Sequence, residues 1–235
     1  MKTGGCDDCI QQAQARIRVH LKTNPYFAKH YVIVRGALCI DGELSDDWRS
    51  YAAKMYNKHM RHALSGQSCQ DFDVLTLVDK SCIDKFTTGK LKNETIIEVS
   101  GLFPKCRVGI ADVVRPYIKE DRVIITRLDI DDEVPEWFIE TVQAELSKHM
   151  PEFACDIYDL KQVETQTGKE QMCVKYNHMT SPFISTIENR PHPIIPYSVN
   201  NEDVRNEVGG FKLKGLYGIQ NITGNNKSNK WHTAG

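Results

Sequence analysis

The stretch from Arg122 to Asp132 (RVIITRLDIDD) limits most strongly what this chain can fold into. Val123, Ile124, Ile125 and Leu128 form a short, mostly β-branched apolar run, the pattern of a strand buried on both faces. Strands of that kind belong to parallel sheets covered by helices. The run breaks into Asp129, Asp131 and Asp132, so the strand delivers carboxylates at its carboxyl end. In an open parallel sheet, ligands bind outside that edge at a crossover point. Asp129 and Asp131 are two apart, and in an extended chain both would point to one side and share a hard divalent cation, manganese or magnesium. Pro135 and the EWFIETVQAEL stretch behind it predict a helix with proline in its first turn. The same aspartates are equally suited to capping that helix.

Upstream, Tyr31 to Ile40 (YVIVRGALCI) reads as a first strand, interrupted by Arg35 and ending near Asp41. Ser45 is a helix N-cap, and Trp48, Tyr51, Ala52, Met55, Met60, Ala63 and Leu64 follow at helical spacing up to Gly66. Phe72 to Asp79 predicts a second strand ending in an acid, Thr95 to Val99 a third, and Gly109 to Glu120 a short helix. Strands alternating with helices imply right-handed crossovers and a mostly parallel sheet. After His149 the texture changes. Phe153 to Leu160 and Gln171 to Tyr176 predict an antiparallel pair around a polar turn at Gln166 to Lys169. SPFISTIENRPHPIIPYS, residues 181–198, is too rich in proline for a central strand and predicts a loop over the site. The expected organisation is a polar or helical extension over residues 1–30, one catalytic domain over 31–220, and a flexible tail or lid over 221–235.

Composition excludes several classes. The 235 residues are 40% hydrophobic and 26% charged, as in a globular domain. A net charge of -1 gives no field to attract a polyanion, so DNA is possible as a partner but not favoured. No window approaches a membrane-spanning length, and MKTGGCDDCIQQ lacks the apolar core of a signal peptide, so the cytoplasm is the expected location. The 8 cysteines are scattered, which predicts reduced thiols. Cys6 and Cys9 form a lone CxxC with no second pair to complete a zinc site. There is neither a GxxxxGK[ST] loop nor a GxGxxG, which argues against a P-loop nucleotidase and a dinucleotide-binding dehydrogenase.

The strand-end residues Arg35, Asp79, Arg127, Asp129 and Asp131 suit a nucleoside diphosphate: acids for ribose hydroxyls and a cation, arginines for phosphates. On these residues the chain resembles GT-A-type glycosyltransferases, in particular the rhamnosyltransferase-like group. Arg35 lies in the first strand. Arg61 to Asp79 (RHALSGQSCQDFDVLTLVD) is similar to that group's helix end, Gln-x-x-x-x-Phe link and second strand. Thr126 to Asp132 (TRLDIDD) is similar to its Arg-Leu-Asp-x-Asp-Asp metal motif. A looser likeness extends to Ser181 to Glu188 and to Trp231-His232, and the main resemblance spans residues 31–150.

The resemblance implies a single GT-A-like α/β domain, with a mostly parallel central sheet flanked by helices and a small antiparallel C-terminal element. It implies transfer of a sugar from a nucleoside-diphosphate sugar to a hydroxyl acceptor, with manganese or magnesium at the leaving diphosphate. Asp129 would contact the ribose or metal and Asp131 would bind the metal. Arg35, Arg127 and Asp79 would face the nucleotide. His232 is the expected C-terminal metal ligand, with His192 as its alternative. Glu188 is the first choice for a general base, followed by Asp132 and Asp203. The acceptor is a glycan, protein, small molecule or phage-type modified DNA base. Two other classes compete: a GT-A-like module that has lost catalysis and serves for binding, and a magnesium-dependent nucleotidyltransferase. The absence of a glycine-rich phosphate loop after the first strand disfavours the latter.

Overall fold

A computed structural model describes residues 28–38, 45–99, 108–172, 183–189, 204 and 208–222. The apolar runs become β1 (Lys29–Arg35), β2 (Asp73–Asp79), β3 (Glu94–Val99) and β4 (Arg122–Asp129). They lie in the order β3-β2-β1-β4, all parallel. The helices that follow or precede them are α1 (Asp46–Met55), α2 (His62–Ser65), α3 (Ile83–Thr87), α4 (Val108–Val114) and α5 (Phe138–Leu146). Ser45 caps α1 as expected, its Oγ accepting from Trp48 N at 3.2 Å. α1 runs into α2 through a π-helical turn, Tyr56–Arg61.

Strand alternation divides the apolar side chains between two faces. Tyr31, Ile33, Leu75, Leu77, Val123 and Ile125 pack against Ile110, Ala111 and Val114 of α4. Val32, Val34, Val74, Val78, Ile124 and Leu128 share the other core with Ala52, Tyr56, Met60, Phe138 and Val142. A strand with both faces covered has no water-facing side, which is why these segments read as continuous apolar runs.

The C-terminal half completes the same sheet. β6 (Phe153–Glu164) and β7 (Glu170–Met172) pair antiparallel, as expected, with Gly168 at a φ of +70° in their turn. The proline-rich stretch corrects the sequence expectation. Part of it is no loop but a central strand, β8 (Ile184–Asn189), antiparallel to both β4 and β6. Ile184 to Glu188 are buried and contain no proline, so the ladder loses no donor. β9 (Gly210–Ile222) runs parallel to β6, and the short β5 (Asp132–Glu133) pairs antiparallel with its end. Asn221 and Ile222, expected in a flexible tail, are therefore buried in a strand. The described strands form one mixed sheet, β3-β2-β1-β4-β8-β6-β9-β5 with β7 on β6. Only β8, β5 and β7 oppose the common direction, so the mostly parallel α/β domain implied by the GT-A resemblance is present.

Among the described residues, two buried polar networks tie β1, β4 and β8 to one another and the helix layer to the sheet. Thr126 Oγ1 lies 2.8 Å from His30 Nε2 and 2.6 Å from Ser185 Oγ, linking β1, β4 and β8. Burial, and then the charge of Lys29, push the His30 imidazole down to about 3, so it stays neutral. On the helix side, Arg61 Nε donates to Glu94 Oε2 at 3.0 Å, and its other nitrogens reach Asn57 Oδ1, Thr88 O and Phe86 O. Tyr56 Oη and Thr76 Oγ1 donate to Glu94 Oε1 at 2.7 and 2.8 Å. The Arg61 and Glu94 side chains are 4% and 0% exposed, so removing one leaves an uncompensated buried charge. Arg61→Ala should lower stability by about 3–5 kcal/mol, and Arg61→Met combined with Glu94→Leu should recover most of that loss. Urea denaturation of both variants checks this; a single-variant loss below about 1 kcal/mol would mean that water reaches the pair.

Candidate active site

β1, β2 and β4 end at one edge, and their register decides which side chains meet there. Arg35 lies opposite Leu77 on β2 and Asp129 on β4. Arg35, Asp79, Arg127 and Asp129 share the strand parity of Ile33, Leu77 and Ile125, so all four project from the α4 face. Arg35 Nε donates to Asp129 Oδ1 at 2.7 Å and Nη2 to Oδ2 at 2.6 Å, a two-pronged pair. With 41% and 29% side-chain exposure, this pair is open to a ligand. Burial by itself raises the Asp129 carboxyl, but the charges of Arg35 and Arg127 outweigh it and hold the group below the usual range. Arg127 is buried. Asp79 caps the turn after β2, its Oδ1 accepting from Ser81 N at 2.9 Å and Ser81 Oγ at 2.5 Å. Gly36 lets β1 close on β2: a Cβ there would stand 2.6 Å from Leu77 O.

Beyond Asp129 the chain does not stay extended. Ile130 and Asp131 form a turn, and Asp132 returns as β5 against Gln220 of β9. Asp129 and Asp131 therefore do not project from one side of a continuing strand, as their two-residue spacing predicts. Asp132 is 2% exposed, and its Oδ1 has no hydrogen-bond partner among the described residues. Burial first, then the charges of Asp131 and Asp129, push its carboxyl well above the ordinary range. Next along β5, Glu133 Oε1 accepts from His59 Nδ1 at 2.5 Å and from Asn221 Nδ2 at 3.2 Å. The His59 hydrogen bond holds Glu133 below the glutamate range against the effect of burial.

No cluster of three His, Cys, Asp or Glu side chains among the described residues is arranged to hold a metal ion. The donor set fits a different arrangement. Magnesium is ordinarily held by one or two carboxylates, with substrate phosphates and water supplying the remaining ligands. Asp131 and the unpartnered Oδ1 of the buried Asp132 suit that role, whereas both oxygens of Asp129 accept from Arg35. His232, His192, Asp203, Cys6 and Cys9 lie outside the described residues.

Glu188 is not at this edge. It sits on β8 opposite Val123, near the amino end of β4, and accepts from Thr186 Oγ1 at 2.5 Å. At about 3.3 Å per residue, this puts it roughly 20 Å along the sheet from Asp129. The physical reason is that its segment is a central strand rather than a loop crossing the site. His59 and Asn221, which reach the turn, were not legible as site residues. One sits within a helical run and the other in a polar tail-like stretch.

No protein-family model matches the sequence, and no curated protein matches it significantly. Among solved structures, the chain is similar to S. aureus TarS 1-349 in complex with UDP, at 12% identity and a TM-score of 0.49 over 83% of this chain and 60% of that one. The chain thus spans about three fifths of the TarS segment it matches. It is also similar to HddC from Yersinia pseudotuberculosis complexed with GMP-PN, at 12% identity and a TM-score of 0.42 over 83% and 90% of the two chains. No helix among the described residues is long and apolar enough to cross a membrane.

The raised Asp132 carboxyl has a consequence for stability. The folded chain keeps its proton, while the unfolded chain loses it above about pH 4. Its contribution is fully present below that value and is lost as pH rises toward the folded pKa. In metal-free buffer, Asp132→Asn should match the parent chain near pH 4 and exceed it in stability at pH 8, as read by urea denaturation. An equal difference at both pH values would mean that Asp132 is ionised in the fold.

Proposed function

We propose that the chain is a glycosyltransferase that takes its sugar from a nucleoside-diphosphate sugar and passes it to a hydroxyl acceptor. The observation that carries this reading is the grouping of Arg35, Arg127, Asp129 and the Asp131–Asp132 turn at one sheet edge, with a buried carboxylate oxygen left unpartnered. Two guanidinium groups give the edge positive charge for phosphates, and the acids after them answer a cation. Asp79, at the end of the neighbouring strand, would face the nucleoside.

Asp131 and Asp132 would hold manganese or magnesium, with diphosphate oxygens and water as the other ligands. When bound, that cation neutralises the charge growing on the diphosphate as the sugar leaves. Arg127 contributes a fixed charge beside the same phosphates. Arg35 can exchange the Asp129 carboxylate for a phosphate, because its planar fork matches both. Asp129, released in that exchange, can accept from a ribose hydroxyl. Of the three carboxylates considered for the acceptor's proton, Asp132 lies at this edge, Glu188 does not, and Asp203 lies outside the described residues.

Thermal shift against UDP-, GDP-, dTDP- and CDP-sugars, with and without manganese, tests this. One base should stabilise the protein, and only with the cation present, since the acids otherwise face the phosphates with like charge. Asp131→Asn should abolish both that shift and turnover while leaving the melting temperature of the free protein nearly unchanged. Donor affinity that survives EDTA would remove the cation from the site. Inorganic diphosphate released from a nucleoside triphosphate and a sugar 1-phosphate would instead identify a nucleotidyltransferase.

A further inference from the structure

The turn carrying Asp131 and Asp132 is held by side chains from two distant parts of the chain. Asn221, at the end of β9, donates through Nδ2 to Asp131 O at 2.7 Å and to Glu133 Oε1 at 3.2 Å. These contacts use both of its amide hydrogens. His59 Nδ1 lies 3.3 Å from the same nitrogen, so its own hydrogen goes to Glu133 Oε1 at 2.5 Å. Glu133 thus accepts from a helix on one side and from the last strand on the other, immediately beside Asp132.

His59 itself belongs to the π-helical turn Tyr56–Arg61, a distortion that recurs at functional sites. It is 5% exposed, and its Nε2 has no hydrogen-bond partner among the described residues. A buried polar atom left unsatisfied costs stability and calls for an explanation. Packing alone would be served by an apolar side chain at this position. The imidazole instead supplies one directed hydrogen bond to the β5 carboxylate.

We propose that His59, Glu133 and Asn221 form a clamp that positions the Asp131–Asp132 turn for a cation-bearing nucleoside diphosphate. The three are positioning residues: none touches the diphosphate, and they act by fixing the carboxylates that do. Outer groups of this kind orient metal ligands, and their loss costs about 10–100-fold in metal affinity. The clamp rests on the glycosyltransferase reading only for its ligand, since its geometry stands without one.

The test pairs two measurements on full-length variants. Hydrogen exchange of the ligand-free chain should show faster exchange over residues 130–133 in Glu133→Ala, Asn221→Ala and His59→Gln, with β1 and β4 unchanged. His59→Asn, whose amide nitrogen stands where Nδ1 stood, should retain protection. Manganese titration in the presence of UDP, GDP, dTDP or CDP, followed by electron paramagnetic resonance, should show half-saturation raised about 10–100-fold in the first three variants and about threefold or less in His59→Asn. Unaltered half-saturation in variants whose turn exchanges faster would overturn the positioning role and leave a purely structural contact. If the parent chain binds none of the four nucleotides while its turn remains protected, the glycosyltransferase reading fails, and with it the ligand proposed for the clamp.

Discussion

Arg35 and Asp129 meet because β1 and β4 are parallel, adjacent and in register over their whole length. That pairing is the constraint on which the rest of the edge depends. With β2 on its other side, β1 becomes the strand at which the strand order reverses, the position where open α/β sheets bind ligands. A one-residue slip between β1 and β4 would turn every side chain of one strand to the opposite face. The apolar alternation forbids that slip, since it would put Arg127 into one core and Leu128 at the edge. Hydrophobic burial therefore aligns the charges, although the charges contribute little to burial.

The helix side is fixed by different means. Arg61 reaches two backbone carbonyls and a buried glutamate, so a single guanidinium ties the π-helical turn to the end of α3 and to β3. His59 lies two residues before it on the same turn. The Arg61 anchor thus determines where the His59 imidazole can reach, and the turn after β4 inherits its position from a network on the far side of the sheet. Loss of Arg61 would move the clamp as well as weaken the core.

Much of this was legible in the sequence. The four parallel strands, the Ser45 cap, the helix behind Pro135 and the β6–β7 pair follow from periodicity and turn chemistry, because local preference and tertiary position agree there. β8 was not legible. The prolines flanking Ile184 to Glu188 dominate the composition of that stretch, and a strand pairing across more than fifty residues of chain leaves no local mark. Misplacing β8 also misplaced Glu188. The carboxylates of the DIDD stretch were visible as chemistry but not as geometry: spacing suggested a continuing strand, whereas β9 draws Asp132 and Glu133 out of line. A pairing partner so late in the chain cannot be read from RVIITRLDIDD itself.

Several departures from local rules meet at the turn after β4. Asp132 buries a carboxyl with one oxygen unpartnered, and His59 buries an imidazole nitrogen likewise unpartnered. The helix that carries His59 is wound as a π-turn, and β5 is only two residues long. Elsewhere, buried Glu94 is fully engaged by its neighbours, whereas His30 Nδ1 and Tyr51 Oη also have no hydrogen-bond partner among the described residues. Under the proposed function, the unsatisfied groups beside this acidic turn would serve a ligand rather than stability. On that reading, a turn held from a helix and a strand would stay in place until a cation reached it.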